Sequence, residues 1–254
     1  MFAEFWNTLT SLVYIIPGLL NYMKLQQLKC SKNADTDSLL IRRLQIMTLS
    51  WVLLGAGSFV FHATQSGWGE LLDELGMISV SASTCYALRD FHPLTTGNIG
   101  LLFYVLYFKL IGLCMGLYLV SGSHPFFSIV FIASSLVSVY LMGTAASKRS
   151  EMQTKKLREG VFYALLGYGI WHIDQACVAG DWFPSYRSYE WELQYWSHPI
   201  WHILTSIAGH SFIAAVVFGI LQIDISRVNI YAFNNSSVVG PAIGIPMPTE
   251  HSRS

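Results

Sequence analysis

Charge is what this sequence most lacks. Of its 254 residues only 12% are Asp, Glu, Lys or Arg, while 53% are apolar and 14% aromatic. An average soluble domain is about a quarter charged. A soluble chain of this size needs a polar shell, and the residues to build one are missing. A chain solvated by lipid needs none. Basic excess is missing too: Lys and Arg number 15, as do Asp and Glu, so no electrostatic footprint of a nucleic-acid binder is present. Cysteine is sparse and scattered. Cys30, Cys85, Cys114 and Cys177 form no CxxC pair, which argues for inert buried thiols and against a disulfide framework. The N-terminus carries Glu4 and no basic region, so no cleavable signal peptide is expected.

Long apolar runs are what the sequence does have. A helix needs roughly 20 mostly apolar residues to cross the hydrocarbon core of a bilayer. Seven stretches qualify: 5–23, 44–63, 71–88, 99–120, 125–145, 161–178 and 200–223. The segments between them alternate in charge. Lys24, Lys29, Lys32, Arg42 and Arg43 lie between the first two, Arg89 follows the third, and Lys148, Arg149, Lys155, Lys156 and Arg158 lie between the fifth and sixth. With Arg227 and Arg253 of the tail, thirteen basic residues fall on one side. Arg187 alone falls on the other, and Lys109 lies inside a span. Basic residues are retained in the cytosol. The predicted fold class is therefore an all-α membrane protein of seven transmembrane helices, N-terminus lumenal and C-terminus cytosolic. Residues 1–223 form one domain, and the polar tail 224–254 is expected to be disordered. The sequons at Asn234 and Asn235 lie in that cytosolic tail and are expected to stay unmodified.

Ionisable residues inside spans are costly and usually functional. Here they gather at one depth. The second span ends with Ser58 and His62, four residues apart and so on one helix face. The third begins with Glu70, Asp73 and Glu74, the sixth ends with His172 and Asp174, and the seventh begins with His198 and His202, again four apart. The alternating topology places all of them at the lumenal side. Three histidines with one open position make the usual catalytic zinc site. An HxxxH pair supplies two ligands from one turn, and a neighbouring helix supplies the third. Such a zinc activates water, a carboxylate such as Asp73 takes its proton, and Ser58 hydrogen-bonds a developing oxyanion.

Each of these residues also has a plainer reading. Histidines near a helix end can sit at the lipid interface. Asp73 and Glu74 can cap a helix N-terminus, and Ser58 can bond back to its own helix. Asp174 either orients a histidine ligand through the ring's other nitrogen or pairs with His172. His210 faces roughly as His202 does but deeper, which suits packing or a substrate channel. Lys109 needs a partner that the sequence does not name. Trp182, Tyr186, Tyr189, Trp191, Tyr195 and Trp196 read as an interfacial belt or the frame of a lipid access path.

At these residues the chain resembles the alkaline ceramidases. The stretches that carry the resemblance are Ala3-Glu-Phe-Trp-Asn-Thr8, Gly57-Ser-Phe-Val-Phe-His-Ala-Thr64, Glu70-Leu-Leu-Asp-Glu-Leu-Gly-Met77, Trp171-His-Ile-Asp-Gln175 and His198-Pro-Ile-Trp-His-Ile-Leu-Thr205. They run in family order along nearly the whole chain. The resemblance implies a seven-helix amidase of endoplasmic reticulum or Golgi membranes that cleaves ceramides, its lipid substrate, to a sphingoid base and a free fatty acid. It implies zinc held by His62, His198 and His202, proton transfer by Asp73, and Ser58 near the substrate carbonyl. Characterised members bind a regulatory calcium through an acidic Asp-Trp-x-Glu extension and a glutamate that Glu4 matches. The chain starts at Met1 without that extension, so either it is shortened or calcium control is lost. No obligate protein partner is implied.

Two other functions fit a seven-helix frame. Adiponectin-type receptors share the three-histidine zinc core but hold the N-terminus in the cytosol, against the charge count here. A transporter or channel subunit would line a path through the bilayer with polar residues, and here the ionisable ones stop at one level, Lys109 excepted.

Overall fold

The computed structural model describes residues 4–30, 38–89, 97–121, 124–145, 151–179 and 187–221, with the side chains at 28–30, 38, 99, 124, 125, 145, 152, 175–179, 187–195 and 218–221 left aside. These residues form α1 (Phe5–Thr10), α2 (Leu12–Cys30), α3 (Ser38–Thr64), α4 (Gly67–Ala87), α5 (Gly97–Ser121), α6 (His124–Ala145), α7 (Glu151–Ala179) and α8 (Arg187–Leu221). No strand occurs among them. Ser11 keeps right-handed helical angles, φ −60° and ψ −24°, so α1 runs on into α2 and the eight segments make seven rods.

Four helices among the described residues are long and apolar enough to cross a membrane: Leu39–Thr64, Gly100–Ser121, Phe126–Thr144 and Trp196–Val217. Three rods fall outside that set: α1 with α2, parted at Ser11 and carrying Asn21, Lys24, Gln26 and Gln27; α4, with Glu70, Asp73 and Glu74; and α7, with Lys155, Lys156, Arg158, Glu159 and Asp174. Every rod outruns its expected apolar stretch at one end or both. The largest difference is in α8, which begins at Arg187 rather than near His198. His198 and Pro199 therefore lie inside a continuous helix and not at its start. The polar tail 224–254 and the aromatics Trp182 and Tyr186 lie outside the described residues, as do the side chains of Tyr189, Trp191 and Tyr195.

The packing is that of a chain in lipid. Leu101, Leu106, Leu110 and Leu113 of α5 point outward, each more than half exposed. Inside, nearly as many polar as apolar residues are buried. Hydroxyls join neighbouring helices there: Ser50 and Ser83 lie 2.8 Å apart, and Ser138 donates to the Ser81 carbonyl at 3.0 Å. Such bonds hold membrane helices together where burial of apolar surface gives no drive.

The site is positioned by a tight hairpin. α3 ends at Thr64, Gln65 turns the chain with a left-handed φ of 52°, and Ser66 caps α4 by accepting the Gly69 N–H at 3.1 Å. α4 then runs back along α3 with the backbones touching. A Cβ at Gly57 would stand 2.5 Å from the Leu72 carbonyl oxygen, and one at Gly76 would stand 2.6 Å from Leu54 Cα. Any larger residue would part the helices. α7 packs along α8, with Gly160 under the Phe212 ring, and α1 lies against the end of α3 and the stretch of α8 around Trp196 and His202. The Glu4 N–H clips α1 to α3 by donating to the His62 carbonyl at 3.1 Å.

Candidate metal centre

The one group of His, Cys, Asp and Glu among the described residues that is arranged to hold a metal ion is His62, His198 and His202, with one donor atom from each within 4.8 Å of the others. The rings face one another at centroid distances of 4.8, 5.1 and 4.9 Å. His62 comes from the last turn of α3. His198 and His202 stand one turn apart on α8. The spacing of four is what puts both on one face.

Each ring is held from behind. His62 donates its Nδ1–H to Glu4 Oε2 at 2.7 Å, and His198 donates its own to Asp174 Oδ2 at 2.8 Å. Ionised carboxylates only accept, so in both rings the proton sits on Nδ1 and the Nε2 lone pair is left for another partner. His202 Nδ1 lies 3.0 Å from Thr10 Oγ1, whose own proton goes to the Trp6 carbonyl at 2.8 Å. The Thr10 oxygen is therefore the acceptor, and His202 has the same tautomer. The supporting groups are themselves anchored: Asn7 donates to Glu4 Oε2 at 2.6 Å, and Ser197 donates to Asp174 Oδ1 at 2.8 Å. Burial lifts the Glu4 carboxyl, but the bonds from His62 and Asn7 outweigh it and hold it below the usual glutamate value.

The front of the site is different. His62 Nε2 and His198 Nε2 are buried and meet no hydrogen-bond partner. A buried polar atom left so costs on the order of 1–3 kcal/mol. His202 Nε2 has only Ser58 Oγ, at a long 3.5 Å. Three imidazoles with Nδ1 occupied behind and Nε2 converging in front form the donor set of a zinc site, down to the carboxylates that orient the ligands. The residues present fit that ion.

Ser58 stands beside His202, and Ser58, Asp73 and His202 line one cavity. It measures ≈ 400 Å³, begins at His202, Ser58 and Asp73, and continues among apolar side chains toward Met142 and Ile213. Two of its lining residues, Leu136 of α6 and Leu165 of α7, are 65% and 66% exposed, so the cavity opens sideways to the lipid face between those helices. Glu74 turns away from the cavity and lies beside Tyr118 of α5.

The remaining polar residues separate from this cluster. His172 is exposed and packs edge-on against Tyr168 at 4.3 Å, while Asp174 goes to His198. His210 lies deeper, with Asn21 at 3.3 Å from its Nδ1. Lys109 is exposed on the outer side of α5. Trp196 is also exposed and stacks on Trp6 at 6.2 Å. Sequence reasoning missed the part played by α1. Its signal was there: Glu4, Asn7, Thr8 and Ser11 recur at helical spacing as a polar stripe in an otherwise apolar run.

The family model for ceramidase matches residues 1–242. The chain belongs to the ceramidase family. Ceramide hydrolysis is thus the activity to set against this geometry, and a cavity of mostly apolar lining suits a substrate with hydrocarbon chains.

Proposed function

We propose that this ceramidase is a zinc-dependent amidase of the alkaline type, hydrolysing the N-acyl bond of ceramides to a sphingoid base and a free fatty acid. The observation that supports it best is the grouping of three histidines with buried, tautomer-fixed nitrogens, one of which, His202, stands at the head of an apolar cavity that also holds Ser58 and Asp73. Zinc bound by His62, His198 and His202 would supply a Lewis acid that brings the pKa of water to about 7. The protein's own groups account for the rest. Glu4, Asp174 and Thr10 keep the rings aimed. Asp73 takes the proton of the attacking water and returns it to the amide nitrogen as the C–N bond breaks and the new C–O bond forms. Ser58 donates to the carbonyl oxygen as negative charge develops there. The apolar cavity holds hydrocarbon and keeps bulk water out, and the gap between α6 and α7 admits the lipid sideways.

The receptor and transporter readings have no observation of their own. Among the described residues the deeper buried groups are mainly hydroxyls bonded from helix to helix, which makes a poor ion path. The test is release of fatty acid from a defined ceramide by purified protein in detergent or nanodiscs. Hydrolysis supports the enzyme, and stoichiometric zinc without hydrolysis would favour a receptor.

Topology belongs to the same proposal: seven spans, a lumenal N-terminus and a membrane of the endoplasmic reticulum or Golgi. In sealed microsomes a C-terminal tag is expected to be digested by added protease. A protected tag would contradict the orientation and, with it, the lumenal placement of the site.

A further inference from the structure

The wall of the cavity carries a file of aromatic rings that starts at the metal centre. His202 meets Tyr14 edge-on at 5.5 Å, and Tyr14 meets Trp51 at 5.9 Å. Tyr14 is held in place by Thr205, its hydroxyl 2.6 Å from Thr205 Oγ1. Trp51 in turn lies against the backbone of α8 at Gly209. A Cβ at that glycine would stand 2.0 Å from Trp51 Cη2 and 2.2 Å from Cζ2. No side chain other than hydrogen lets the indole lie where it does.

The depth of this contact follows from helix geometry. Trp51 is seven residues from Ser58 on α3, and Gly209 is seven residues from His202 on α8. At about 1.5 Å per residue both stand about 10 Å below the metal end, so the two helices agree on the level. The cavity continues past that level to Met47, Met142 and Ile213. Trp51 packs against both apolar clusters of the bundle, the one around Tyr14, Leu54 and Met77 and the one around Leu44, Leu141 and Ile213. It therefore stands at the mid-level of the cavity, its waist, and the missing side chain at Gly209 lets the indole lie back against α8.

We propose that the Trp51–Gly209 pair sets the chain-length preference of the enzyme, because a substrate hydrocarbon chain must pass the indole to fill the far half of the cavity. This rests on the cavity being the ceramide site. Chains that end above the waist are indifferent to the pair, and chains that pass it are sensitive to it. Either of the two hydrocarbon chains of a ceramide is a candidate for this position.

The test is kcat/KM for ceramides with hexanoyl, dodecanoyl and octadecanoyl groups on one base, and with short and long bases on one acyl group. Each is read as the ratio of long to short. Gly209→Ala pushes the indole into the lumen, and the ratio is expected to fall about tenfold, as for about two methylenes withheld from apolar contact. Adding Trp51→Phe to Gly209→Ala should restore it. The series that responds identifies the chain that threads the waist. An unchanged ratio in both series, with zinc content and thermal unfolding as in the parent, would overturn the proposal. Should Gly209→Ala fail to fold, Trp51→Phe alone decides: a severalfold rise in the ratio supports the proposal, and no change contradicts it. A parent enzyme that hydrolyses none of the ceramides would instead sink the functional reading.

Discussion

His198→Ala and His202→Ala are each expected to lose bound zinc and ceramide hydrolysis together, from about one zinc per chain to near none and from full turnover to background. The reason is geometric. Each ring has its Nδ1 engaged by Asp174 or Thr10 and gives its Nε2 to one common point. Removing either leaves two ligands, and neither Ser58 nor Asp73 is placed to replace an imidazole held by its own orienting partner. His210→Ala is the control on the same helix. Its ring lies with Asn21, away from the cluster, and the variant should retain its metal. Metal analysis of the purified variants beside a hydrolysis assay decides the matter. Full zinc and turnover in either ligand variant would refute the assignment.

Asp73→Asn is expected to separate binding from chemistry. The carboxylate lines the cavity beside Ser58 but is not one of the three converging donors. Its loss should spare zinc and fold while activity falls about a hundred- to ten-thousand-fold, the usual range for a general acid–base group. Glu74→Gln should be milder. The two residues stand about 100° apart around α4, and Glu74 lies beside Tyr118 rather than on the cavity. Zinc content and hydrolysis for both variants, measured side by side, are the readout. A dead Glu74→Gln with an active Asp73→Asn would reverse the roles. Loss of zinc in Asp73→Asn would make Asp73 part of the metal's support.

The parts of the molecule legible in the sequence are those written in local pattern. The absence of charge marked where helices would run, since lipid-facing segments admit few ionised groups. It marked only their apolar parts. The long start of α8, from Arg187, carries polar and charged residues and so falls outside the apolar stretch, and Arg42 with Arg43 ended the expected stretch of α3 short of its start at Ser38. The spacing of four between His198 and His202, and between Ser58 and His62, placed each pair on one face without reference to tertiary structure. The partners of the rings were harder to see. Glu4 meets His62 across 58 positions and Thr10 meets His202 across 192, contacts that no window of helical periodicity contains. For Asp174 two partners remained open, and the packing of α7 on α8 selects His198 over His172. The glutamate that the resemblance assigns to calcium is turned onto the back of His62.

The most direct measurement is hydrolysis of an octadecanoyl ceramide by the purified full chain, as isolated, after zinc is removed with a chelator, and after zinc is returned. The account predicts fatty acid and sphingoid base in equal amounts from the protein as isolated, loss of that activity with loss of the metal, and recovery as zinc approaches one per chain. Undiminished hydrolysis by a metal-free protein, or zinc at full occupancy with no hydrolysis of any ceramide, would contradict it.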